Sequence, residues 1–329
     1  VIAFGVLGAV LAGTAFGYGA QRGAFCMNSG FRAALEGETT KLKALGLAVA
    51  VQLVLLPVIF RAGLASPVEL PLPFFAAVAG GLLFGASMRW AGGCAGGVWY
   101  KLGAGDVGSL LAVLGLAFGA TAAEAGPLAA LRVSLQRALP NAASWIPNPV
   151  ASSSSGLVML AVLSRLAPGR AGAWDWRRTG IWVGITAAVA WPASALAGRS
   201  FGLAVVPGTT ELFSTVGGTR FPTWDLWLVL GVMAGGWLAA RRSGAVALRA
   251  PEAAVLVKRF AGGLGLGLGA SIATGCTVGQ GLTGLALLAP SSFVIMAAIF
   301  AGSSLAELAA RRLEGGLPLG HQSGIPGLR

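Results

Sequence analysis

Charge is what this chain has least of. Only 10% of its 329 residues are Asp, Glu, Lys or Arg, against about 25% in a soluble globular domain, so a water-exposed surface of ordinary polarity cannot be assembled from it. Acidic residues are the scarcer sign, 11 against 23 basic ones, and a net charge of +12 would in a soluble protein point to nucleic acid. Placement excludes that reading, because the basic residues fall in short clusters between apolar runs. Histidine occurs once, at His321, and the three cysteines, Cys26, Cys94 and Cys276, form no C-x-x-C pair. Zinc-finger, haem-attachment and H-E-x-x-H chemistry therefore lack ligands, and no cofactor is expected. No Walker lysine motif occurs, so an ATPase within this chain drives nothing.

What the chain has is apolar length. Hydrophobic residues make up 56% of it and glycine accounts for 52 positions, with a mean hydropathy of +0.79. Runs near 1–20, 43–60, 73–90, 107–125, 151–166, 179–197, 223–240, 260–275 and 291–310 are each long enough to cross about 30 Å of hydrocarbon. The opening run carries no clean A-x-A cleavage signal and is expected to be a span rather than a secretory signal. Between the runs lie apolar segments too short to span, 24–34, 93–103, 199–207 and 277–289, which read as re-entrant or interfacial pieces. The expected fold is an all-α polytopic membrane protein of about nine transmembrane helices and four short broken helices.

Orientation follows from the basic clusters. Arg32, Lys41 and Lys43, then Lys101, then Arg165, Arg170, Arg177 and Arg178, then Arg241, Arg242, Arg249, Lys258 and Arg259, and finally Arg311 and Arg312 all share one side of nine spans. The other side carries Arg61, Arg132, Arg137, Arg199 and Arg220. Under the positive-inside rule the N-terminus is periplasmic and the C-terminus cytoplasmic.

A weak internal repeat is present. Ala79-Gly-Gly-Leu-Leu-Phe-Gly-Ala-Ser87 aligns with Gly263-Leu-Gly-Leu-Gly-Leu-Gly-Ala-Ser271, each followed closely by a cysteine, and Gln21-Arg-Gly-Ala-Phe25 is placed like Gly198-Arg-Ser-Phe201. Each half reads span, short segment, span, span, short segment, span. Residues 1–150 form one repeat, 151–170 a connecting span, and 171–329 the second repeat with a cytoplasmic tail. Because the connector reverses chain direction, the repeats are expected to be inverted, with broken segments from opposite faces meeting near the midplane, where such folds bind substrate.

All three cysteines fall at these breaks, in Arg22-Gly-Ala-Phe-Cys-Met-Asn28, Gly92-Gly-Cys-Ala-Gly-Gly97 and Thr274-Gly-Cys-Thr-Val-Gly-Gln280. Any one alone reads as a buried small hydrophobe. Three of three, flanked by glycines that expose amide N–H groups, place sulfur beside an anion-friendly cradle. A metal site lacks a fourth ligand and a second shell; a disulfide between two of them is open, though it would block a path. Arg22 and Arg89 adjoin the breaks and either serve an anion or snorkel from span ends. Half-helix N-termini add partial positive charge. No acidic proton relay is visible inside the spans, which leans toward facilitated passage.

Other features have structural explanations. Gly263 to Gly269 contains G-x-x-x-G spacing suited to close helix packing. Trp174, Trp176, Trp182, Trp191, Trp224, Trp227 and Trp237 read mostly as an interfacial belt, Ser152 to Ser155 as a span boundary, and Asp106, Glu211 and Asp225 as loop or cap residues.

The segments R-G-x-x-C at Arg22 to Cys26, G-G-C-x-x-G-x-W-Y-K at Gly92 to Lys101 with Gly103-Ala-Gly105, and G-C-x-x-G at Gly275 to Gly279 carry a resemblance. Over essentially its whole length the chain resembles the YeeE/YedE-like sulfur transport family of bacterial inner-membrane proteins, whose characterised members take up thiosulfate. The resemblance implies an hourglass of nine spans and four broken helices, and a path lined by Cys26, Cys94 and Cys276 whose S–H groups donate in turn to the passing anion. It also implies a small cytoplasmic sulfurtransferase-like partner. Candidate path residues are those cysteines with Arg22, Asn28, Arg89, Gly93, Gly96, Gly275, Thr277 and Gln280; Trp99, Tyr100 and Lys101 are structural neighbours.

Thiol chemistry agrees with that implication. A thiol of ordinary pKa, about 8.5, stays mostly protonated at neutral pH, and a weak neutral donor holds a soft anion loosely enough to release it. Two alternatives stand beside thiosulfate import: a channel for another small sulfur or selenium oxyanion selected by arginines, and a membrane thiol protein that relays covalently bound sulfur.

Overall fold

The computed structural model describes residues 2–137, 148–216, 218 and 221–313; His321 and Arg220 lie outside them. Among the described residues there is no strand, only two isolated bridges, Asp106 with Arg249 and Arg170 with Asp175. Helices α1 (Ile2–Arg22), α2 (Met27–Ala34), α3 (Thr40–Arg61), α4 (Phe74–Ala91), α5 (Ala95–Gly103) and α6 (Val107–Glu124) are followed by α7 (Ala129–Arg137) and α8 (Pro149–Ser164). Then come α9 (Trp176–Ala195), α10 (Val206–Val216), α11 (Trp224–Arg242), α12 (Ala253–Ile272), a π-helical turn (Gly279–Gly284), a 3-10 turn (Leu285–Leu287) and α13 (Pro290–Leu313).

Each of the nine long apolar runs is occupied by a helix of between 16 and 24 residues. By length and composition five stretches, Thr40–Arg61, Phe74–Gly103, Val107–Glu124, Ala253–Ile272 and Pro290–Leu313, are apolar enough to cross a membrane. The protein is an all-helical, multi-pass membrane protein. Side-chain caps stop and start several helices. Asp106 accepts from Gly108 N at 3.1 Å and Ser109 Oγ at 2.7 Å to open α6. Asn148, with Pro149 behind it, opens α8, and Asp175 accepts from Arg178 N at 2.7 Å to open α9. Such caps satisfy N–H groups that the first turn leaves without carbonyl partners.

The two halves of the chain interleave. Helix α1 packs along α11 and α9 along α3; α12 lies against α6 and α4 against α13; α1 also meets α9, and α4 meets α12. Every one of these contacts joins an element before α8 to one after it. Glycine makes the closest of them possible: a Cβ on Gly263 or Gly267 of α12 would stand 2.2 Å from the carbonyl oxygens of Ala112 or Leu116 in α6. The G-x-x-x-G stretch is thus a packing seam.

The short segments differ in detail from the sequence expectation. Residues 24–34 and 93–103 contain α2 and α5, but the helix expected within 199–207 instead starts at Val206 and runs to Val216. Pro207 at its second position suits a helix start, where its missing N–H is not needed. Residues 277–289 form a π turn and a 3-10 turn, wider and tighter than an α-helix, in a stretch holding Gly279, Gly281 and Gly284. Helix α7 was not expected; its Gln136 donates to the carbonyls of Ser271 and Ile272 at 3.1 and 3.2 Å, closing the end of α12. Four tryptophans assigned to the belt, Trp174, Trp176, Trp191 and Trp224, are buried in the fold, whereas Trp182 and Trp237 are exposed.

Candidate functional site

The three breaks share one backbone geometry. Two residues ahead of each cysteine stands a residue in the left-handed region: Ala24 (φ 47°), Gly92 (φ 72°) and Thr274 (φ 59°). It ends the preceding helix; at Ala24 and Thr274 the next N–H reaches back five residues, Phe25 N to Ala20 O and Gly275 N to Ala270 O, both 2.8 Å, as in a Schellman stop. The chain then extends through Cys26 (φ −131°) or Cys94 (φ −80°), each of which is the N-cap residue of the half-helix that follows. Left-handed geometry at a non-glycine residue costs on the order of 1–2 kcal/mol, and it occurs at two of the three breaks.

This turn places each sulfur at the start of a short helical element, where N–H groups are free and the helix dipole is positive. The Cys94 thiol faces the Met27 N–H of α2. The Cys276 thiol faces the N–H groups of Val278 and Gly279 from its own turn and of Val205 and Val206 at the start of α10. All three cysteines are free and buried. Cys26 Sγ donates to Cys94 Sγ at 3.9 Å, and the Tyr100 hydroxyl interacts with Cys26. Thr277 faces Cys94, and its hydroxyl makes no other hydrogen bond among the described residues.

Beside these groups is a cavity of about 10 Å³ lined by Phe16, Phe25, Met27, Cys94, Gly96, Gly97, Thr277, Val278 and Leu282. That is room for about one water molecule. Among the cavity's lining side chains, Phe16, Met27 and Leu282 are apolar and turn about single bonds. Gly97 keeps the constriction open: a Cβ there would stand 2.8 Å from Cys26 Sγ and 3.4 Å from Cys94 Sγ. Gly96 has the same role toward Val278, 2.9 Å from its would-be Cβ.

The remaining sequence candidates are scaffold or rim in this geometry. Trp99 Nε1 donates to Thr209 Oγ1 at 2.8 Å, tying α5 to α10, and Lys101 Nζ donates to Gly92 O at 2.7 Å, closing the α4–α5 break. Gln280 has both ends of its amide engaged, donating to Thr274 O at 2.9 Å and accepting from Ser292 Oγ at 2.6 Å. Asn28 is buried, with Oδ1 making no hydrogen bond among the described residues. Gly93 packs on Val98 and Gly275 on Gln280. Arg22 closes α1, its carbonyl accepting from Trp174 N at 3.2 Å. On the other half Arg199 grips Asp225 through Nε and Nη2, both at 2.8 Å, and donates from Nη1 to Phe201 O and Gly202 O at 2.7 Å. That fixes the irregular stretch before α10, so Asp225 is an anchor rather than a simple cap.

Arg89 neither stands alone nor snorkels. Its Nη1 lies 2.6 Å from Glu307 Oε2, an oxygen that Arg32 Nε also approaches at 3.1 Å. Glu307 belongs to α13 and is fully buried, an acidic group inside the expected last span that the sequence reading passed over. Arg311, four residues on, and two arginines far away in sequence, Arg32 and Arg89, surround it, and no local pattern reveals the distant pair. The apolar lining from Phe16, Phe25, Met27, Val278 and Leu282 was missed for a similar reason, since such residues are indistinguishable in sequence from core.

A multi-pass helical protein with interrupted helices that bring two buried thiols together beside a small cavity has the architecture of a membrane transporter. The chain belongs to the sulphur transport family, whose profile matches residues 22–305. It is similar to the thiosulfate transporter TsuA of Escherichia coli strain K12, 30% identical over 310 residues that cover 86% of this chain and 88% of that one. It is also similar to the thiosulfate transporter TsuA of Spirochaeta thermophila, 30% identical over 315 residues, covering 88% and 94%. The protein is a sulfur transporter and not an enzyme.

Proposed function

We propose that this protein imports thiosulfate across the bacterial inner membrane, along a path in which Cys94 is central and Cys26 and Cys276 stand to its two sides. The single observation that carries the reading is the Cys26–Cys94 contact of 3.9 Å beside the small cavity, at a point where the starts of α2 and α5 supply N–H donors. Neutral S–H and N–H donors attract a dianion without holding a fixed positive charge in the empty site, which would be costly to bury. Each donor is weak enough to hand the anion on. Thr277 adds a hydroxyl next to Cys94.

The paired packing of α1 on α11 with α9 on α3, and of α12 on α6 with α4 on α13, supports two inverted repeats, 1–150 and 171–329, joined by α8. The distribution of basic residues supports a periplasmic N-terminus and a cytoplasmic C-terminus. A small sulfurtransferase-like protein at the cytoplasmic face would remove the product. The test is thiosulfate uptake into cells lacking their own importers, with Cys94→Ala and Cys94→Ser at matched membrane levels. Uptake abolished by Ala and partly retained by Ser is the expected result, because a hydroxyl still donates. Loss with both would favour covalent sulfur relay, and survival of both would remove the cysteines from the path.

A further inference from the structure

We infer that Glu307 is a positioning residue that sets the spacing of Cys26 and Cys94; this rests on the reading of those thiols as the path. One oxygen, Glu307 Oε2, accepts from Arg89 Nη1 at 2.6 Å and ion-pairs with Arg32, whose Nε stands 3.1 Å away. Arg32 lies in the last turn of α2, six residues after Cys26, and Arg89 in the last turn of α4, five residues before Cys94. A single carboxylate on α13 therefore holds both cysteine-bearing segments from the same end. Arg311, from Glu307's own helix, reaches only Oε1, at 3.4 Å, and pairs outward with Glu36 at 2.5 Å.

The hold is stiff for a physical reason. Glu307 is 0% exposed, and a buried carboxylate stripped of its partners is strongly destabilising, so neither guanidinium leaves easily. Helix α2 has only eight residues. Its other side-chain ties include Lys41 Nζ to Ser29 Oγ at 2.7 Å and the edge-on contact of Phe31 with Phe300, rings 5.2 Å apart, the second again to α13. Arg32 stands about 9 Å along the helix axis from Cys26 at 1.5 Å per residue, so a shift at the ion pair is carried by a rigid rod to the thiol. Without the carboxylate charge, Arg32 and Arg89 repel each other, and the two segments separate.

The experiment is oxidative cross-linking of Cys26 to Cys94 in the full chain in native membranes, in a Cys276→Ser background, with copper phenanthroline as oxidant and the disulfide-linked peptides quantified. The parent is expected to cross-link readily, and Glu307→Gln and Arg32→Ala at least tenfold more slowly. Arg311→Ala, which touches the same carboxylate only at Oε1 and otherwise pairs with the exposed Glu36 just past the C-cap of α2, a solvent-screened contact worth little, is expected to stay within twofold of the parent. Where Glu307→Gln does not accumulate in the membrane, Arg32→Ala against Arg311→Ala carries the comparison. Cross-linking of Glu307→Gln or Arg32→Ala within twofold of the parent overturns the inference, as does equal slowing by Arg311→Ala. Uptake is measured on the same variants with all three cysteines intact: slow cross-linking with lowered uptake supports the inference in full, whereas slow cross-linking with native uptake upholds the spacing role and overturns the cysteine path.

Discussion

Gly97→Ala is a one-methyl test of where the barrier lies. The new Cβ would stand 2.8 Å from Cys26 Sγ and 3.4 Å from Cys94 Sγ, whereas non-bonded heavy atoms pack best at about 3.5–4.0 Å. The Cys26 sulfur must therefore retreat by roughly 1 Å, and the methyl takes the space of the 10 Å³ cavity. Overpacking of this kind costs about 1–3 kcal/mol in a close-packed interior. On the proposed path the anion opens the same constriction, so the cost reappears in the barrier to passage, where about 1.4 kcal/mol is tenfold in rate. Thiosulfate uptake by Gly97→Ala should fall by about 5- to 150-fold at matched membrane level. The control is Gly46→Ala, whose Cβ would meet the terminal methyl of Met159 at 3.1 Å and Leu163 Cδ1 at an ordinary 3.8 Å; a flexible methionine end yields, and uptake should be near native. Uptake by Gly97→Ala within twofold of the parent would refute the placement of the barrier at Gly97, Cys26 and Cys94.

Three further outcomes are expected. Thr277→Val removes a hydroxyl that makes no hydrogen bond among the described residues beyond its interaction with Cys94; thermal stability should hold or rise slightly, since an unpaired buried hydroxyl contributes little, while uptake falls several-fold, and unchanged uptake would remove Thr277 from the path. Ala24→Gly relieves a left-handed alanine (φ 47°) and should stabilise the protein by about 1 kcal/mol; a lower melting temperature in detergent would contradict the shared break geometry. Arg199→Lys forfeits the two-point grip on Asp225 and two carbonyl contacts. With side chains 18% and 14% exposed, the loss should be about 2 kcal/mol, and a change under roughly 0.5 kcal/mol, the scale of an ordinary surface substitution, would show that the segment before α10 is held by something else.

How much of this was legible in the chain divides along a physical line. The membrane environment imposes a long apolar run on every crossing, so the positions of the long helices could be read from composition alone, and α12's glycines announced a tight seam. Cysteine at three glycine-flanked interruptions marked the breaks. The left-handed turns at Ala24 and Thr274 were not readable, because alanine and threonine carry no local preference for that geometry and are held there by the helices on either side. Arg89 shows the same limit: beside a break in the sequence it could serve an anion or snorkel, and only the packing of α13 against α2 and α4 brought Glu307 to it across 218 residues. The sequence by itself determined a helical membrane protein with interrupted segments, because hydrophobic length and helix punctuation are local. Tertiary structure alone decided which thiols touch, how narrow the space beside them is and which carboxylate holds them there, because those depend on close packing between elements far apart in the chain.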